Sequence, residues 1–322
     1  MQYKGVNDNN SLLYTFFQGS QKNLDNLNQL NNIILPMIKK KLYKIKPLRE
    51  EGRPPIDPVL LFKIILIQHL YDLSDRAVLE QITDRISFMR FLGINNPQQL
   101  PSKTALVNFR KMFFKTRSPE QIFNKLFKKL KKLGFTVEGG TIIDSKIVEA
   151  PGKKSSSGKR RDKHAKYTKK HNTLYFGYKA HTLVNNKNKL ILGMQVTPAN
   201  VNDICMLMPM VKQYRNYITT IFGDKGYSSK TYKPIIEAYG IKYKIMKQPY
   251  GKQKLTNQDI KYNDSITKVR ARIEHVFGRL VNEFKLIKTR YFTEFKNSMS
   301  ILFKAALYNI KQARRLKPHL AL

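Results

Sequence analysis

Acidic residues are what this chain has least of. Asp and Glu together number 22 against 60 Lys and Arg, a formal net charge of +38 over 322 residues. That balance points to a polyanionic partner: DNA, RNA or an acidic membrane surface. Cysteine is nearly absent. The single Cys205 excludes an intramolecular disulfide and argues against a thiolate zinc site. Long apolar runs are also missing. The longest, Val59 to Leu70, is about twelve residues and contains Lys63, Gln68 and His69, too short and too polar to span a bilayer. The opening Met1-Gln-Tyr-Lys-Gly has no signal-peptide architecture, so a cytosolic protein facing nucleic acid, without a membrane, is expected. Histidine offers no ligand spacing: His164 and His171 flank a basic stretch, and His275 turns away from its neighbour Glu274. No histidine-based metal cluster or nucleophile triad is supported.

What is present is enough apolar material, 41% of the chain, for a full core and two domains. Residues 1–54 are polar and Asn-rich with one amphipathic piece around Leu24 to Leu42. Residues 55–117 read as short helices: Arg53-Pro-Pro-Ile-Asp-Pro58 is a turn leading to a helix start, with Asp57 as cap and Pro58 at the first helical position. Further helices open at Ser74, run over Ile86 to Leu92 up to Gly93, and open again at Ser102. Such spacing suits a helix-turn-helix, and a bundle burying only its own core suits it equally. On the last of these helices Lys103, Asn108 and Arg110 are the candidates for reading base edges. Ser118-Pro-Glu-Gln121 reads as a capping box opening a connector helix over 118–134.

From residue 135 to 315 the pattern changes to strands and helices. Two runs of two-residue period, Asn172 to Val184 and Lys189 to Thr197, are joined by Asn185-Asn-Lys-Asn188 as an antiparallel hairpin. A helix from Asp203 to Tyr214, a strand from Ile218 to Phe222, a helix from Ser229 to Tyr239, a strand from Ile241 to Met246 and a long helix follow, with a tail at 316–322. The order predicts an α/β domain with a ribonuclease H-like mixed five-stranded sheet and flanking helices, preceded by an all-helical N-terminal domain. Between Pro151 and His171 lie nine Lys or Arg and one Asp. Its Gly152…Gly158-Lys159 is spaced one residue too long for a phosphate-binding loop, and Arg160 replaces the needed Ser or Thr. Lys153, Lys154, Lys159, Arg160, Arg161 and Lys163 are read instead as a flexible loop on DNA phosphates, a merely disordered loop being the alternative.

Three scarce carboxylates occupy unusual places. Asp144 sits mid-strand in Gly139-Gly-Thr-Ile-Ile-Asp-Ser-Lys-Ile-Val-Glu149, where Asp is depleted and costly to bury. Asp224 ends the apolar run Ile218 to Phe222. Glu274 lies at the edge of the apolar stripe Val269, Ile273, Val276, Phe277, Leu280 and Phe284, with Arg270 one turn earlier on its own face. Two strand acids and a helix acid suit hard divalent cations. His181 alternates onto one sheet face as a candidate accessory residue, a structural histidine being the alternative.

Ile143-Asp-Ser-Lys-Ile-Val-Glu-Ala-Pro151, Tyr175-Phe-Gly-Tyr-Lys-Ala-His181, Thr197-Pro-Ala-Asn-Val-Asn-Asp203, Gly223-Asp-Lys-Gly-Tyr227 and Arg270-Ala-Arg-Ile-Glu-His-Val-Phe-Gly278 together resemble bacterial insertion-sequence DDE transposases, in their IS-five-like branch. Arg53 to Gly93 looks like that branch's N-terminal domain. The resemblance covers roughly residues 50–315 and implies a prokaryotic, nucleoid-associated enzyme that cleaves and transfers DNA strands. It implies Asp144, Asp224 and Glu274 as catalytic metal ligands, with two Mg²⁺ or Mn²⁺ per site and Arg270 as an accessory. The implied partners are duplex DNA at the element's ends and target, and a homodimer or higher synaptic assembly. Where relatives often carry Tyr and Lys this chain has Thr267 and Val281, with Lys285 or Arg279 as substitutes. The alternatives are a non-catalytic DNA-binding protein of the same fold, which the intact triad disfavours, and a metal-dependent nuclease without strand transfer, which only an assay separates.

Overall fold

The computed structural model describes residues 21–45, 56–135, 139–151, 162–170, 172–249 and 254–317. The chain divides into two compact units between Leu126 and Phe127.

The first unit is helical. Helix α1 (Gln21–Ile45) buries Leu27, Leu30, Ile34, Ile38 and Leu42 along one side. Helix α2 (Pro58–Leu70) is almost wholly buried, from Leu60 to His69. Its start uses the cap read from the sequence, the Val59 amide donating to Asp57 Oδ1 at 2.9 Å, with Pro58 following. The turn before it at 53–55 lies outside the described residues. Ser74 caps α3 (Asp75–Asp84) and Ser102 caps α5 (Lys103–Lys115), while α4 (Ile86–Leu92) stops at Gly93 in the left-handed region, φ 73°. Helix α6 (Ser118–Lys132) starts differently from expectation. The Gln121 amide donates to the Arg117 carbonyl at 3.1 Å, so the capping box on Ser118 does not form; the Ser118 hydroxyl pairs with Thr116 Oγ1 at 2.9 Å.

Arg110 also departs from expectation. It is 7% exposed, and its guanidinium grips both oxygens of Asp75, with Nη2 to Oδ2 at 2.9 Å and Nη1 on Oδ1. Gln68 on α2 donates to the same carboxylate at 2.7 Å. A base-reading side chain must reach solvent, and this one is committed to tying α2, α3 and α5 together.

The second unit is a six-stranded mixed sheet between helices. Strand β1 (Thr141–Glu149) runs antiparallel to β3 (Thr173–Asn185) and parallel to β5 (Thr220–Gly223), which runs parallel to β6 (Lys242–Ile245). The far edge of β3 is shared. Strand β4 (Ile191–Pro198) pairs with its C-terminal part and β2 (Lys166–Lys170) with its N-terminal part. Strand β2 is the correction to the five-strand expectation. Its lysines read as loop, but on an edge strand they are tolerated because they stay in water.

Helices α7 (Ile204–Tyr214) and α8 (Tyr232–Ala238) contribute Leu207, Met210, Val211 and Ile236 to one core with Ile143, Leu183 and Leu192 of the strands. Helices α9 (Asn257–Phe284) and α10 (Glu294–Leu316) pack on β1, β5 and β4. Helix α9 is longer than its apolar stripe suggested, because Thr256 and Asp259 build a capping box that starts it at Asn257. Helix α10 is fastened to the sheet by Asn309, fully buried, whose amide both accepts from the Ile191 N–H and donates to the Ile191 carbonyl, each at 2.8 Å.

Breaking the Arg110–Asp75 pair should therefore harm the first unit's stability rather than DNA reading. Arg110→Leu leaves Asp75 short of its cation and should cost about 3 kcal/mol. Chemical denaturation measures the loss, and DNA affinity per folded molecule should stay unchanged.

Candidate active site

The parallel register of β1 and β5 sets the geometry. Thr141 faces Ile221 and Ile142 faces Phe222, so two residues further Asp144 comes alongside Asp224, about one strand spacing away. Strand β5 ends at Gly223 while β1 continues to Glu149 against β3. The missing edge opens a cleft of about 590 Å³. Asp144, Asp224 and Glu274 all line it, joined by Asp203, which had not been singled out.

Each carboxylate is held differently. Asp144 Oδ1 accepts from the Ser145 amide at 2.8 Å, and its Oδ2 takes Arg270 Nη2 at 2.9 Å. Burial pushes the Asp144 carboxyl above its ordinary range; the Arg270 charge pulls it back, and the neighbouring charge of Asp224 adds to the rise. Asp224 caps the short turn Lys225–Tyr227, its Oδ1 accepting from Gly226 N–H at 2.9 Å. A side chain at position 226 would stand 3.0 Å from that oxygen, so glycine there lets the backbone approach the carboxylate. Glu274 is exposed on α9, one turn past Arg270. Among the described residues no three His, Cys, Asp or Glu side chains are drawn together closely enough to enclose an ion as they stand. The donor set is nevertheless all oxygen, suited to a hard divalent cation, and the Arg270 guanidinium already places a positive charge on Asp144.

A second polar cluster lines the same cleft. The Ser145 hydroxyl donates to Asp203 Oδ1 at 2.9 Å, and Lys179 Nζ meets the same oxygen at 3.1 Å. His181 stands beside this cluster rather than against Asp144: it is fully buried, its Nε2 pairs with Thr197 Oγ1 at 2.9 Å, and its Nδ1 faces Asp203 at 3.8 Å without a hydrogen bond. Tyr227 is also fully buried. Burial, then the charges of Asp203, Asp144 and Asp224, push its hydroxyl well above its ordinary pKa, and Ser145 opposes that rise. Ser145, Asp203 and Tyr227 escaped the sequence reading because their contacts span tens of residues. Their signal was present in the motifs quoted around Asp144, Asp203 and Asp224.

Cations surround the acids: Lys146, Lys169, Lys170, Lys179 and Arg270 line the cleft, as does Val281. The substitutes named for the missing lysine do not. Arg279 bonds to Glu283 at 2.7 Å and to Gln312, and packs on the Tyr308 ring; Lys285 ends α9 in the left-handed region. Thr267 bonds back to the Asn263 carbonyl at 2.9 Å. Of the candidate DNA contacts, Lys103, Asn108 and Lys163 are exposed, whereas Lys153, Lys154, Lys159, Arg160 and Arg161 lie outside the described residues.

Burial lowers the His181 pKa from 6.5 to about 4. The unfolded chain takes up this proton near pH 6.5 and the folded one only near 4, so acidification between those values favours unfolding. The contribution, full above pH 6.5, should fall by up to about 3 kcal/mol on descending to pH 4. Denaturation of the protein and of His181→Gln across that range should show a shallower pH slope in the variant.

Two family models match this chain. One, described as a transposase DDE domain, matches residues 136–310; the other, a transposase domain (DUF772), matches residues 14–112. The crystal structure of a pre-cleavage Mos1 transpososome aligns over 82% of this chain and 82% of that chain at 12% identity, but its TM-score of 0.19 is too low to carry an argument. The DDE match spans more than half of the chain and includes the whole sheet and its carboxylate cleft, and on it the protein belongs to the DDE transposase family.

Proposed function

We infer that Asp144, Asp224 and Glu274 are the metal-binding carboxylates of this transposase, and that the cleft they line cuts and rejoins duplex DNA. The observation carrying this reading is that all three, from a strand, the turn after a strand and a helix, line one cleft together with several lysines. The family works with divalent metal ions. When bound, Mg²⁺ or Mn²⁺, two per site, supplies charge stabilisation to the attacking and leaving oxygens of an in-line phosphoryl displacement. The chain supplies the rest. Asp144 Oδ1 is fixed by the Ser145 amide and Asp224 Oδ1 by the Gly226 amide, which leaves one oxygen of each for a cation. Glu274 lines the same cleft from α9. Asp144 Oδ2, bonded here to Arg270, would be the oxygen it offers a cation, and the planar guanidinium of Arg270 would then be available to a phosphate.

The helices before residue 117 read the element's ends, with Lys103 and Asn108 on the exposed side of α5, and the basic stretch from Lys153 to Lys163 follows phosphates. Cleaving two ends and joining them to one target calls for at least two copies of the chain on DNA, so a homodimer or larger synaptic assembly is the working form. Among the described residues no helix is long and apolar enough to cross a membrane.

The test is incubation with the element's own ends and Mg²⁺, scoring strand cleavage and strand transfer separately. Asp144→Asn should lower cleavage by about a thousandfold or more, the equivalent of about 4 kcal/mol of charge stabilisation, while DNA binding persists. Ordinary turnover in that variant would overturn the assignment. Arg270→Gln should bind Mn²⁺ more tightly by calorimetry, because the competing cation is gone, and yet cleave more slowly. Weaker Mn²⁺ binding would show that Arg270 supports the metal site rather than competing for it.

A further inference from the structure

The segment linking the cleft to the basic stretch has a shape and a surface of its own. At Gly177, β3 leaves the body of the sheet. Its last partners there are Glu149 on β1 and the Ala199 amide, and beyond it Phe176 keeps a single bond to the Ala150 amide. A side chain at 177 would lie 2.2 Å from the Val148 carbonyl, so only glycine lets the strand pass. From there to Thr173, β3 is laddered by β2 alone: Tyr167 against Phe176, Thr168 against Tyr175, Lys169 against Leu174, Lys170 against Thr173. The turn residue Asn172 is left-handed, φ 62°.

A free two-stranded ribbon is marginally stable and has no core to fill, yet this one carries apolar side chains in solvent. Leu174 is 64% exposed and Tyr167 45%. Alternation along the strands puts Tyr167, Lys169, Leu174 and Phe176 on one face, and the Tyr167 and Phe176 rings lie 4.9 Å apart. Lys166, Lys169 and Lys170 are exposed, and Thr168, Lys169 and Lys170 border the carboxylate cleft. The ribbon's root is fastened by Asp162, which is buried, accepts from Tyr178 Oη at 2.5 Å and leaves the Lys163 side in water.

We propose that this ribbon lies in the major groove of the duplex beside the cleft, its lysines on the flanking phosphates and Tyr167 and Leu174 against base edges. The inference rests on the reading of the cleft as the DNA-cutting site. A two-stranded ribbon is one of the two shapes the major groove admits, apolar side chains there meet thymine methyl groups, and the lysine rim matches the charge of the backbone. The ribbon thus sets the register of the strand that enters the cleft and gives the catalytic unit a base contact of its own.

The experiment uses the full chain in an Asp144→Asn background, so that no turnover intervenes, on a duplex taken from the DNA flanking the coding sequence. Dimethyl sulfate, which methylates guanine N7 in the major groove, should find guanines beside the cleavage position protected. Tyr167→Ser with Leu174→Ser should lose that protection while the salt dependence of binding stays the same. Lys169→Ala with Lys170→Ala should reduce the slope of log affinity on log salt by up to about 2. All four side chains are exposed, and circular dichroism confirms folding. Protection and slope unchanged in both double variants would overturn the proposal. Failure of the unsubstituted protein to cleave would defeat the reading of the cleft alone, because protection is scored without cleavage.

Discussion

The site depends on one strand pairing. Only because β1 and β5 run parallel with Ile142 beside Phe222 do Asp144 and Asp224 reach the same level of the sheet, and only because β5 stops at Gly223 does that level open to solvent. A slip of one residue would turn Asp144 to the other face, toward the core that holds Ile143. The apolar residues on both sides of Asp144 fix the register, and the carboxylate is carried to its place by the packing of its neighbours. Burying a carboxylate in this place is unfavourable in itself, as the raised pKa of Asp144 records, with the charge of Asp224 a smaller addition. Arg270 and Lys179, each bonded to one of the cleft's acids, offset the repulsion.

How much of this was legible followed the range of the interactions. Helix caps at Asp57, Ser74 and Ser102 are contacts over two or three residues, and they stand as read. Asp144 betrayed itself locally, as a charge inside a β-branched run. Arg110 misled for the opposite reason. A polar residue between apolar ones on an amphipathic helix looks solvent-facing, but its partner Asp75 is 35 residues away, and no pattern along α5 announces it. The lysines of β2 misled in the same way: composition marked a loop, while the deciding fact was a neighbouring strand with an unpaired edge. His181 resolved to the structural alternative, since full burial and the Thr197 bond account for it.

Scarcity of acid gives the few carboxylates an organising part. In a chain of net charge +38, a cation finds few internal partners, so each acid that has one fixes a point of the structure. Asp75 gathers three helices, Glu283 gathers Arg279, Lys311 and Arg315 along α9 and α10, and Asp259 draws in Lys247 after β6. Within the cleft Asp203 does the same for Lys179. Asp224 and Glu274 differ: among the described residues neither has a cation partner. Both line the same cleft as Asp144 and Asp203. Lys146, Lys169 and Lys170 line it as well, while Arg270 and Lys179 are bonded to two of its acids. In the proposed function the lysines of this cleft meet the phosphate backbone of DNA and its carboxylates receive divalent cations, so one cleft carries two electrostatic tasks.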